Sequence, residues 1–165
     1  MKNLKKLFVV LAVLVAMVCA VTTIVIAETT YDGTLAKAEI KLAAFDTAKD
    51  QVDESGVILV SALKAKENAL ADTMAYLKTV DPASEGYDAF VAKLNGKRVD
   101  LGNLYLAEVD KAAVDTDRTK ALKVAYDYAA TLTPDMAGYA DFIMAYNEKS
   151  FAIVEKYLDQ LFGTG

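Results

Sequence analysis

Histidine and tryptophan are absent from the 165 residues, cysteine occurs once and proline twice. Without histidine, no Ser-His-Asp triad, His-ligated haem, His-containing zinc site or Glu-x-x-His di-iron centre can be built. One cysteine leaves no internal disulfide, no four-cysteine metal site and no redox dithiol. Walker A and dinucleotide glycine patterns do not occur, as expected of a chain with almost no strand signal. Ser55, Ser61, Ser84 and Ser150 find no histidine to act as base, so no catalytic residue, cofactor-binding residue or metal ligand is assigned, and no cofactor is expected. Asp115-Thr116-Asp117 starts like a calcium loop. Lys120 stands where the loop needs its glycine and Tyr126 where it needs its final glutamate, so an N-cap is the better reading.

What is present begins with an export signal. Lys2, Lys5 and Lys6 precede 21 residues without a charge, Leu7 to Ala27. A positive start before an apolar run sends the following chain across a membrane. As a helix the run spans about 31 Å, enough to cross a hydrocarbon core. Residues 1–27 therefore read as a signal peptide cleaved after Ala27 or as a retained signal anchor, and the rest as extracytoplasmic. Cys19 reads as a small apolar residue of that run, because Met17 and Val18 before it do not suit lipid attachment. Removing three of 18 basic residues and none of 23 acidic ones takes the net charge from −5 to −8. Such a charge opposes non-specific binding to nucleic acid or anionic lipid. The densest basic cluster, Lys93, Lys97 and Arg98, is flanked by Asp88 and Asp100.

Beyond Ala27, Ala, Leu, Lys, Glu and Met dominate and apolar residues recur at steps of three and four, which predicts helices with one apolar face. The stripes are Leu35, Ala38, Leu42, Phe45 and Val52; Tyr87, Val91, Leu94, Leu101, Tyr105 and Val109; and Tyr139, Phe142, Ile143, Tyr146, Ile153, Val154, Tyr157, Leu158 and Leu161. Five segments follow, at about 33–54, 57–80, 82–113, 116–132 and 134–162. The four-residue run Val57–Val60 is assigned to helix because Ser61 to Glu67 continue it with helix formers. Gly56 ends or kinks the first segment, and Pro82 and Pro134 open helices behind Asp81 and Thr133.

Both prolines sit in matching contexts, TVDPASEGYDAFVAKLN at 79–95 and TLTPDMAGYADFIMAYN at 131–147. An offset of 52 residues aligns eleven identities without a gap, from Leu70 with Leu122 to Leu106 with Leu158, including Tyr76 with Tyr128 and Tyr105 with Tyr157. That similarity reads as an internal duplication of a helical hairpin. The expected fold is all-α: an antiparallel bundle whose four-helix core comes from two duplicated hairpins, plus an extra N-terminal helix, behind the apolar export helix. In domains, 1–27 is the signal or anchor, 28–56 the N-terminal helix and kink, and 57–165 the hairpin bundle.

This composition points to an exported, acidic, non-catalytic module that binds a protein or cell-envelope component. It is expected to meet no nucleic acid, and to meet membrane only through residues 7–27 if these stay attached. The alternative is a carrier of a small apolar ligand in a bundle core lined by Tyr76, Tyr105, Tyr128 and Tyr157. Tyr87 and Tyr139 are expected to cover the hairpin base, with recognition as their second reading. The like-charged pairs Asp46 with Asp50 and Glu155 with Asp159 need a cation, a partner or water to offset their repulsion.

Overall fold

The computed structural model describes residues 30–163, so the export segment at 1–27 and Cys19 lie outside the described residues. Five helices dominate: α1 (Leu35–Thr47), α2 (Ala62–Leu77), α3 (Tyr87–Lys111), α4 (Asp115–Ala129) and α5 (Tyr139–Phe162). Two short strands, β1 (Gln51–Val52) and β2 (Ile58–Val60), lie between α1 and α2. The fold is mostly helical with little sheet, as an all-α bundle should be. No helix among the described residues is long and apolar enough to cross a membrane.

Hydroxyl caps start the first two helices. Thr34 Oγ1 accepts the Lys37 N–H at 3.3 Å and Ser61 Oγ the Lys64 N–H at 3.2 Å. Between them the sequence reading fails. Val57–Val60 does not continue a helix: β2 pairs antiparallel with β1, Gln51 opposite Val60 and Val52 opposite Ile58. Turn chemistry decides the matter. Asp53 Oδ1 accepts the N–H groups of Ser55 and Val57 at 2.8 and 2.9 Å, and Gly56 takes a φ of 79°. The expected helix at 33–54 therefore ends at Thr47, and the one at 57–80 starts only at Ala62.

The proline turns also differ from expectation. Pro82 and Pro134 lie in turns five residues ahead of α3 and α5, whose N-caps are Gly86 and Gly138 at φ 84° and 83°. Asp81 Oδ1 holds the Ala83 N–H at 2.9 Å, which closes a turn where a helix would otherwise begin. The glycines serve a left-handed backbone that other residues resist. At the start of α4 the expected Asp115–Asp117 cap is displaced by one residue. Val114 is the N-cap, without a side-chain bond, and Asp115 and Asp117 occupy the first turn, where negative charge suits the helix dipole.

Backbone bonds recur 52 residues apart. Thr79 N–H to the Tyr76 carbonyl matches Thr131 to Tyr128; Ser84 to Asp81 matches Met136 to Thr133; Tyr87 to Ser84 matches Tyr139 to Met136. The spacing extends further than the sequence indicates, because α1, α3 and α5 begin at Leu35, Tyr87 and Tyr139.

The apolar residues form two clusters rather than one four-helix core. The first joins Ala38, Leu42 and Phe45 of α1 to Leu70 and Leu77 of α2 and to Phe90, Leu94 and Leu101 of α3. The second joins Val99, Leu106 and Val109 of α3 to Leu122 and Ala125 of α4 and to Phe142 of α5. The division follows from α3, which is apolar on two faces and serves both clusters. Gly102 keeps the second contact close: a Cβ there would lie 3.0 Å from Phe142 Cε2. The N-terminal helix α1, expected as an extra beside the hairpin core, is thus part of the first cluster.

Candidate functional site

The four tyrosines proposed to line a cavity do not share one. Tyr105 donates its hydroxyl to Glu67 Oε2 at 2.9 Å, and Tyr128 donates to the Arg98 carbonyl at 2.9 Å. Their rings touch, 5.2 Å between centroids, where the two clusters meet. Burial pushes the Tyr128 phenol up to about 12, against the lowering effect of the Arg98 guanidinium. Burial, then the Glu67 hydrogen bond, raises Tyr105 further. Tyr76 sits elsewhere and accepts the Thr34 N–H at 3.0 Å. Tyr157 lines an open cleft with Val109, Asp110, Lys149 and Lys156. Tyr87 and Tyr139 are half-buried and border the first and second cluster respectively.

Charged candidates are paired within the fold. Lys93 meets Glu39, Lys97 meets Asp46 at 2.6 Å, and Arg98 donates to the Thr131 carbonyl, so the one basic cluster already has acidic or carbonyl partners. The Lys97 hydrogen bond holds the Asp46 carboxyl below its usual range. Asp50 accepts the Ala62 N–H at 2.5 Å, which gives both members of that like-charged pair a partner. In the Tyr157 cleft, Lys149 pairs with Asp110 at 2.6 Å and Lys156 with Asp115 at 2.8 Å. The Lys156 hydrogen bond lowers the Asp115 carboxyl.

One serine does have a basic residue at a catalytic spacing: Ser61-Ala62-Leu63-Lys64 is a Ser-x-x-Lys. The fold uses it as a helix start. Ser61 Oγ accepts the Lys64 backbone N–H, while Lys64 Nζ pairs with Glu67 at 3.0 Å and not with the hydroxyl. No group of three or more His, Cys, Asp or Glu residues is placed to hold a metal ion among the described residues.

Two larger surface features remain. A groove between α2 and α4, about 350 Å³, is lined by Leu70, Ala71, Met74, Ala75 and Tyr128, with Glu67, Lys78 and Arg98 at its edge. The other is the outer face of α5. Phe142 is the only fully buried residue of this 24-residue helix, and the sequence reading placed its whole apolar stripe in the core. Tyr139, Ile143, Tyr146 and Ile153 do pack inward. Val154, Leu158 and Leu161 do not; with Met144, Phe151 and Phe162 they stand about half to three-quarters exposed. The signal was present in the sequence, since Met144, Asn147, Phe151, Val154, Leu158 and Leu161 follow strict three-four steps, separate from the inward set. A smaller exposed apolar patch, Val52, Val57, Ile58 and Leu59, marks the β-hairpin.

The comparable face of α3 shows what such a stripe does when covered. Fifty-two residues before Phe151, Val154, Leu158 and Leu161 stand Val99, Gly102, Leu106 and Val109. All four are buried. Compared with protein-family models, with curated proteins and with solved structures, the chain matches none.

Proposed function

We propose that this is an exported, acidic, non-catalytic module that works through protein-protein contact, by docking a protein chain on its surface. Its helices run as an antiparallel bundle derived from a duplicated hairpin, placed outside the cytoplasm by residues 1–27. The observation that carries the reading is the α5 stripe, whose Phe151, Val154, Leu158 and Leu161 are exposed where the α3 residues 52 positions earlier are buried. A contiguous apolar face of this kind on a soluble bundle marks an interaction site. The ion pairs of the basic cluster and of the Tyr157 cleft are in keeping with this reading, because Lys93, Lys97, Lys149 and Lys156 each already face a carboxylate of the same chain.

A photoreactive phenylalanine analogue at Phe151 tests it in intact cells. The reading expects protein adducts from that position and none from the isolated exposed Ile40. Adducts to lipid alone, or equal yields at both positions, would remove its basis.

The groove between α2 and α4 favours a second reading, a carrier of a small apolar ligand. Its apolar lining and the Tyr128 ring suit an apolar guest with one polar end near Arg98. Native mass spectrometry of protein purified from its source should then show a non-covalent adduct; a bare-chain mass would argue against it.

A further inference from the structure

Starting from the reading of α5 as a docking face, we propose that its occupant is a second copy of this chain, with the two α5 helices paired in parallel. The stripe has the form of a coiled-coil seam: Met144, Phe151 and Leu158 alternate with Asn147, Val154 and Leu161 over six consecutive three-four positions. Such a seam fits a helix carrying the same pattern, and a two-fold axis supplies one automatically. Among the described helices, no other presents an exposed stripe of this length; α1 exposes Ile40 and α4 exposes Val124 and Tyr126.

The area is right for a pair of copies. With Phe162 at its edge, the exposed part of the stripe is on the order of 600 Å² per copy, close to the ~800 Å² that a standard interface takes from each partner. The face is also separate from the one that holds α5 in its own chain. Phe142, Tyr146 and Ile153 point inward, and Lys149 and Lys156 bridge to Asp110 and Asp115, so pairing would disturb none of these contacts.

Charge and polarity set the direction. Glu148 and Glu155 flank the seam on one side, Ile143, Ser150 and Tyr157 on the other. Antiparallel pairing would bring Glu148 of each copy against the other's Glu155, and like charges in register repel. It would also bury the Asn147 amide against Leu158. Parallel pairing sets Glu155 opposite Ser150 and Glu148 opposite Ile143. It sets Asn147 opposite its own copy, where the two amides bond each other and fix the register.

The test uses the full chain in a mild detergent that tolerates Leu7–Ala27, with Cys19→Ser so that only introduced thiols react. Light scattering should give twice the mass of one chain, and Leu158→Glu with Leu161→Glu should halve it without changing helix content. Val154→Cys should link to itself on mild oxidation, while Ile40→Cys, exposed on α1 and away from the seam, should not. A single-chain mass for the unaltered protein overturns the proposal. So does a doubled mass that survives the two glutamates, since another segment would then hold the pair. Linkage only in a mixture of Phe151→Cys and Val154→Cys chains overturns the parallel direction. Adducts from Phe151 to a different protein, together with a single-chain mass, would leave the docking reading standing and remove the second copy alone; no adduct of any kind would remove both.

Discussion

Truncating Phe142 to alanine should detach one helix and leave the rest folded. The side chain is 1% exposed and lies over Gly102, at the centre of the contact between α5 and α3. Deleting a buried phenylalanine ring costs about 3–5 kcal/mol. Little else can hold α5 in place. Its two bridges, Lys149–Asp110 and Lys156–Asp115, are partly exposed, and such pairs contribute about 0–1 kcal/mol each. The half-buried Ile143, Tyr146 and Ile153 supply the remainder. The first cluster contains no α5 residue and should not feel the loss. Native-state hydrogen exchange reads this directly. Amides of α5 should exchange roughly 100- to 4,000-fold faster in Phe142→Ala, while those of Ala38–Phe45 and Ala69–Leu77 keep their protection. Equal loss of protection in α1, α2 and α5 would refute the division into two clusters, and a change below about 1 kcal/mol would refute the anchoring role.

Other substitutions probe the same logic. Gly86→Ala and Gly138→Ala should each cost about 1–2 kcal/mol in urea unfolding, because both hold a positive φ. Gly96→Ala, in the helical interior of α3 with open space at its Cβ, should instead stabilise by about 0.5–1 kcal/mol. Tyr128→Phe removes the hydrogen bond to the Arg98 carbonyl and should cost about 0.5–1.5 kcal/mol. Because folding raises the Tyr128 phenol to about 12, its share of stability is complete below the unfolded value near 10 and is lost as pH rises from there through about 12. Absorbance titration should accordingly show Tyr128 among the last of the nine tyrosines to ionise. Asp115 behaves oppositely: its folded value is lowered, so its contribution is present above 3.8 and disappears as pH falls through the lower folded value. Thermal melts of Asp115→Asn should depend less on pH in the acid range than those of the unaltered protein, and added salt should narrow the difference.

The helical fold was legible because each helix carries its own three-four periodicity, and the 52-residue offset because Pro, Gly, Tyr and Phe recur at fixed positions around each turn. The β-hairpin was not, since four apolar residues look alike in a strand and in a helical turn; Gly56, read as an end or kink, folds the chain back together with Asp53. The start of α1 in register with α3 and α5 was hidden because its segment shares only Lys41 and Leu42 with Lys93 and Leu94 at that offset. In α5 the inward and outward stripes were merged into one, because residues such as Ile153 and Val154 are adjacent in sequence yet about 100° apart around a helix. Distinguishing two seams requires knowing that one is already occupied, which is tertiary information. The tyrosines misled for a related reason: the 52-residue spacing pairs Tyr76 with Tyr128 and Tyr105 with Tyr157, whereas the fold sets Tyr105 against Tyr128 and holds their hydroxyls on Glu67 and the Arg98 carbonyl.

Hydroxyl-radical footprinting in intact cells compares the α5 face with a position that is equally open in the isolated fold. Phe151 is 72% exposed and Ile40 73%. If the outer face of α5 is covered at work, as the corresponding face of α3 is within the fold, Phe151, Leu158 and Leu161 will be modified far less than their exposure dictates while Ile40 is modified in full. Labelling of Phe151, Leu158 and Leu161 at the rates their open surface sets would contradict the account.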